Sequence, residues 1–96
     1  MKKDFNFDLK NLEGMNIVEN GKILTARGVA INALLTPVPG VPKSGEDHIR
    51  DWDLVKKINV DGEVDLKSEE IAQIKTQIAK NYITMVVGQM FEFLDK

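Results

Sequence analysis

Apolar residues along this chain fall into short runs whose spacing changes from two to nearly four. Phe5, Phe7 and Leu9 alternate with Asn6 and Asp8, which predicts a half-buried strand. Ile17-Val18 and Ile23-Leu24 flank Glu19-Asn20-Gly21-Lys22. Asn-Gly between apolar pairs predicts a β-hairpin, because both residues tolerate positive φ. Arms this short need another element to pack on. From Ala26 the period lengthens. Ala26, Val29, Ala30, Ala33 and Leu34 share one face of a helix running from Ala26 to Leu35, with Thr25 as its cap. Ile31 and Leu35 fall outside that stripe, so the helix is apolar most of the way round. Such a helix is either central to the core or partly covered by a partner. Gly28 weakens it by up to ~1 kcal/mol relative to Ala, and close packing against a neighbour is the expected return.

Residues 36–45 hold Pro37, Pro39 and Pro42 with Gly40, a spacing that excludes helix and favours extended geometry. This Pro-rich internal loop reads as a stiff connector, with docking to an aromatic groove as the sharper alternative. Ser44 with Asp47 resembles a shortened capping box and opens a helix to about Ile58. His48, Trp52 and Val55 lie on one side of it, with Leu54 and Ile58 adjoining. Asp61-Gly62 makes a turn, and Glu63-Val64-Asp65-Leu66 reads as a short strand able to pair with the N-terminal β elements. A third helix spans Ser68 to Asn81, carrying Ile71, Ile74 and Ile78 at helical spacing, with Tyr82 one turn on. Its first turn holds Glu69 and Glu70, where the helix dipole favours acids. A fourth spans Thr84 to Leu94. The predicted fold is a single α+β domain over residues 1–96. It has an N-terminal β-hairpin and one further short strand, packed on about four short helices.

The fourth helix is unusually apolar. Phe93, Val86, Met90, Leu94, Val87 and Phe91 sweep an arc of roughly 160° at 100° per residue. That exceeds a minimal core stripe, so one edge is available for another chain. Met85 falls on the polar side and is exposed unless covered, and methionines adapt well to partner surfaces. Lys75 stands inside the apolar face of the third helix, among Ile71, Ala72, Ile78 and Ala79. Its stem can cover apolar surface while the ammonium reaches water or a carboxylate. The alternative is a partner-facing charge ringed by apolar contacts. Met85, Met90 and Phe91 are the first candidates for partner contact. Ile31 and Leu35 form a second patch, and Lys75 is a charged candidate beside the first.

Composition narrows the function classes. The 43% apolar and 29% charged fractions are those of a globular domain. The absence of cysteine excludes disulfides and thiolate chemistry. Thirteen basic and fifteen acidic residues are intermixed and give a net charge of −2. Without a basic stripe to neutralise phosphates, nucleic-acid binding is the weakest of the functions considered. No run suits a signal peptide or a transmembrane helix, so a cytoplasmic location and no membrane partner are expected.

Catalytic patterns are equally scarce. His48 is the single histidine. Asp47 and Asp51 share one helical row near it while Asp53 points elsewhere, so a helix-surface histidine packing on Trp52 outweighs a metal ligand or general base. Asp61-Gly62-Glu63 with Asp65 supplies only fragments of a calcium loop. The seven glycines are scattered and cradle no phosphate, and no Gly-x-Ser-x-Gly elbow occurs. The expectation is a non-enzyme with no catalytic residue, cofactor or metal.

Leu24-Thr25, Val29, Asn32-Ala33-Leu34-Leu35, Glu63-Val64-Asp65-Leu66, Glu69-Glu70-Ile71, Ile74-Lys75, Lys80, Tyr82 and Val86-Val87-Gly88-Gln89 follow one another in an order that resembles a family of small proteins. These are encoded by bacteriophages and prophages and have no assigned biochemical activity. The resemblance covers most of the chain from the hairpin onward. The family often has Thr where Lys67 stands and prolines where Ile83 and Thr84 stand. Ser68 is then the nearest hydroxyl to cap the third helix, and the break before the fourth lacks its usual prolines. The resemblance implies a phage or prophage origin and brings no catalytic residues. Together these features lead to the expectation of a phage-encoded protein that binds and modulates a host or phage protein through an apolar helical edge. A virion-assembly component or chaperone, able to self-associate, is the alternative. A nucleic-acid-binding accessory protein is the weaker one.

Overall fold

A computed structural model describes residues 1–37, 40 and 42–96. The hairpin forms where Asn-Gly stands. Asn20 has φ 52° and Gly21 φ 77°, the left-handed pair that a tight two-residue turn requires. It joins β2 (Val18–Glu19) to β3 (Lys22–Ile23), with Val18 opposite Ile23. The other sheet pairs β1 (Lys2–Asp4) with β4 (Glu63–Asp65), antiparallel, with Lys3 opposite Val64. The strand at Glu63 thus joins the N-terminus, as expected. The strand read at Phe5–Leu9 lies instead at Lys2–Asp4, and beyond it the chain makes isolated bridges at Asp8–Thr25 and Lys10–Asn16. Its alternation survives as burial: Lys3, Phe5 and Leu9 are buried and Phe7 half-buried.

Among the described residues, four helices complete an α+β fold: α1 (Ala26–Leu35), α2 (Gly45–Ile58), α3 (Ser68–Asn81) and α4 (Thr84–Leu94). Their starts follow side-chain chemistry. Thr25 Oγ1 accepts from the Gly28 amide at 3.0 Å, and Ser44 Oγ from the Asp47 amide at 3.1 Å. Lys67, not Ser68, takes the cap position of α3, and its amide donates to Glu70 Oε1 at 2.9 Å. Tyr82 and Ile83 are extended, which breaks α3 from α4 sharply without proline. Gly28 is exposed, and the nearest atom to an added Cβ would be its own cap hydroxyl. The packing role expected for it is therefore absent. The extended geometry expected around Pro39 lies outside the described residues.

The C-terminal ends of α1, α2 and α4 are closed from a distance. Neither α1 nor α4 carries a basic residue in its last turn. Lys43 Nζ donates to the Leu34 carbonyl at 3.3 Å, and Lys3 Nζ to the Phe93 carbonyl at 3.2 Å. Arg27 Nε donates to the Ile58 carbonyl of α2 at 3.2 Å. Each cation meets carbonyls that have no partner inside the helix, at its negative pole. Lys43 also pairs with the buried Asp51, which accepts from Gln73 of α3. This cluster joins α1, α2 and α3 across the end of the Pro-rich loop.

The core draws on all four helices together with Phe5, Leu9, Val64 and Leu66; α1 packs on α2 and α3, and α3 packs on α4. The α1 face is the predicted one, and Ile71, Ile74 and Ile78 of α3 are buried as expected. On α2 the buried row is Asp51, Leu54, Val55 and Ile58, while His48 and Trp52 are exposed. Of the side that holds His48, Trp52 and Val55, only Val55 is buried. On α4 the buried row is Val86, Met90 and Leu94.

Two outcomes follow for stability. Met90 is 0% exposed, so Met90→Ala should cost about 2–5 kcal/mol in urea denaturation. A cost below about 1 kcal/mol would contradict its place in the core. Burial pushes the Glu70 carboxyl up, but the Lys57 ammonium at 2.7 Å and the Lys67 amide outweigh it and hold it below the usual glutamate range. Its contribution is complete above the unfolded glutamate pKa and is lost as pH falls through the lower folded value. Glu70→Gln should therefore flatten the acid side of the stability profile, and an unchanged profile would contradict the pairing.

Candidate functional site

Helix α4 shows two different edges on either side of its buried row. Residues 3–12 run along the first edge, in the opposite direction to the helix. Phe5 and Phe7 pack edge-on against Phe93, with ring centroids 5.0 and 4.8 Å away. Further along, the Lys10 amide donates to Gln89 Oε1 at 3.0 Å, and Gln89 Nε2 donates to the Lys10 carbonyl at 2.7 Å. This reciprocal pair docks the loop on the helix.

The loop then closes on itself. Asn11 Oδ1 accepts from the Glu13 and Met15 amides, each at 3.0 Å, and the Asn11 amide donates to the Met15 carbonyl at 2.8 Å. Gly14 has φ 81°, a conformation in which a side chain would be strained. The result is a small hydrogen-bonded turn that holds Leu12 96% exposed, with Met15 also exposed. Beside Leu12 an open cleft of about 630 Å³ is lined by Met85, Gly88, Thr84 and Glu92. Nothing stands within 4 Å of an added Cβ at Gly88, so this glycine leaves the cleft floor empty.

The second edge faces α3. Phe91 is half-buried, and the Lys75 ammonium lies 4.8 Å from its ring centroid and 2.7 Å from Asp95 Oδ1. Lys75 thus covers apolar surface with its stem and reaches a carboxylate, the first of its two expected roles.

The six candidates from sequence do not form one site. Met85 and Phe91 lie on opposite edges of α4. Met90 is enclosed in the core and offers no contact surface, which corrects its place among the partner contacts. Met85 is half-buried and lines the open cleft together with Lys10, Asn11 and Leu12. Ile31 is half-buried and lines a separate cleft with Phe5, Phe7 and Arg27, while Leu35 on the same helix is exposed. Leu12 was missed because it stands alone among polar residues with no periodicity around it. Ile49 and Trp52, both exposed and one turn apart on α2, were missed because the buried row of that helix includes an aspartate.

The remaining polar groups are structural in their contacts. Tyr82 Oη accepts from Asn32 Nδ2 at 2.8 Å, and burial pushes its phenol up. Asp61 is fully exposed and lies 3.9 Å from Arg27 Nη1. Among the described residues, no three His, Asp or Glu side chains are grouped closely enough to hold a metal ion. No helix among them is long and apolar enough to cross a membrane. No family model matches this chain, and no curated protein or solved structure matches it either.

Gln89→Ala removes both hydrogen bonds that dock the loop. It should lower stability by about 1–2 kcal/mol and shift the amide resonances of Asn11 to Met15. Unchanged loop resonances would contradict the docking.

Proposed function

We propose that this chain is a non-enzymatic protein-binding module whose contact surface is the loop-side edge of α4. The observation that carries the reading is Leu12, a fully exposed leucine held on a hydrogen-bonded turn above an open cleft. An apolar side chain fixed in advance loses little conformational freedom on binding. Burying it in a partner is worth roughly 1.5–3 kcal/mol. Met15 and Met85 extend the apolar area, and the polar Lys10 and Glu92 stand at the cleft and serve specificity. With the sequence resemblance to small phage and prophage proteins, this supports a phage-encoded modulator acting in the bacterial cytoplasm on a host or phage protein. A second reading, a virion-assembly component, is favoured by the exposed Ile49–Trp52 pair, which gives a second helix its own apolar surface.

Affinity purification with mass spectrometry from infected and uninfected cells tests both. Leu12→Asp should lose the partner with an unchanged thermal melt. Gly88→Leu fills the cleft, so it should lose the partner while gaining stability, because glycine costs a helix about 1 kcal/mol. Partners retained by both variants would sink the modulator reading. Recovery with phage structural proteins, lost in Trp52→Glu but not in Leu12→Asp, is the result that the assembly reading requires.

A further inference from the structure

We infer that the groove between α3 and α4 is a docking site for an acidic amphipathic helix of a protein partner. It is a surface separate from the Leu12 edge. The open cleft there is about 490 Å³ and is lined by Ala72, Lys75, Thr76, Ala79, Lys80 and Phe91. Its floor is apolar: Phe91 is half-buried, and the small exposed Ala72 and Ala79 let a partner backbone come close. Both charged residues of the lining are lysines. An apolar floor bordered by two lysines, one of them holding Asp95, is complementary to leucines flanked by carboxylates.

The protein already shows what such a carboxylate would do. Asp95, exposed just beyond the end of α4, sits on Lys75 at 2.7 Å while the same ammonium lies over Phe91. Lys75 therefore receives a carboxylate beside an aromatic face, and Asp95 is the one a partner would displace. The groove walls are helices whose central backbone groups are paired internally, so an added β-strand finds no edge to extend. The occupant that fits is one presenting side chains from a helix of its own. The cleft follows α3 from Ala72 to Lys80, about two turns, which suits apolar anchors one turn apart.

The test uses two labelled helical peptides with the same leucine face, one flanked by glutamates and its twin by lysines. Binding to the full chain is read by fluorescence anisotropy. The glutamate peptide should bind at least about tenfold tighter than its twin. Lys75→Gln should weaken it, and so should Ala79→Gln, which narrows the groove from an exposed position. Asp95→Asn should tighten it by freeing Lys75. Leu12→Asp should leave it unchanged, which separates this surface from the one proposed above. Equal binding of the two peptides, no saturable binding of either, or binding indifferent to Ala79→Gln would each overturn the inference. Self-association lost in Ala79→Gln would also overturn it, by assigning the groove to a second copy of this chain.

Discussion

The strap formed by residues 3–10 is the contact on which the rest of this protein depends. It pairs with β4 at one end, places two phenylalanines on Phe93 and reaches Gln89 through two hydrogen bonds. The same segment anchors the hairpin. The Leu9 amide donates to the Leu24 carbonyl, the Ile17 amide to the Leu9 carbonyl, and the Ala26 amide to the Phe7 carbonyl. Without the strap, β4 would lose its partner strand, the hairpin would lose its support and Phe93 of α4 would lose its aromatic cover. An isolated two-stranded hairpin is marginal in water, so its persistence is a property of this packing.

A second constraint comes from the carbonyl ends of the helices. Short helices leave a large share of their backbone groups unpaired at the ends. Here cations from distant positions meet three of those ends: Lys3 at α4, Lys43 at α1 and Arg27 at α2. Each bond joins a terminus to a different element, so satisfying the backbone also fixes how the elements sit together. Lys3 shows why a charged residue can occupy a buried position at 6% exposure: its ammonium finds the Phe93 carbonyl instead of apolar surroundings.

Local chemistry made much of this readable in advance. Asn20-Gly21 specified the hairpin, Thr25 and Ser44 specified helix starts, and the isoleucines of α3 specified its buried face. These features depend on neighbours in sequence. What stayed hidden depends on neighbours in space. A helical wheel could show that the apolar arc of α4 was too wide for one stripe. It could not show that a loop from the N-terminus would line one cleft with Met85, or that Met90 would be sealed inside. The buried row of α2 was not legible because Asp51 shares it with Leu54, Val55 and Ile58 while Trp52 lies outside it. An aspartate buries there only when Lys43 and Gln73 arrive from other elements. Leu12 carried no pattern, and its importance rests on the turn made by Asn11 and the docking made by Gln89.

The central claim is that the turn from Asn11 to Met15 is ordered before any partner arrives. Amide hydrogen exchange of the free protein tests it most directly. The Lys10, Glu13 and Met15 amides, which donate to Gln89 and Asn11 side chains, should exchange slowly enough to be separated from the unpartnered Leu12 amide. Exchange of all four at the rate of an unstructured peptide would mean that Leu12 is not held in place, and the account of the binding surface would fail.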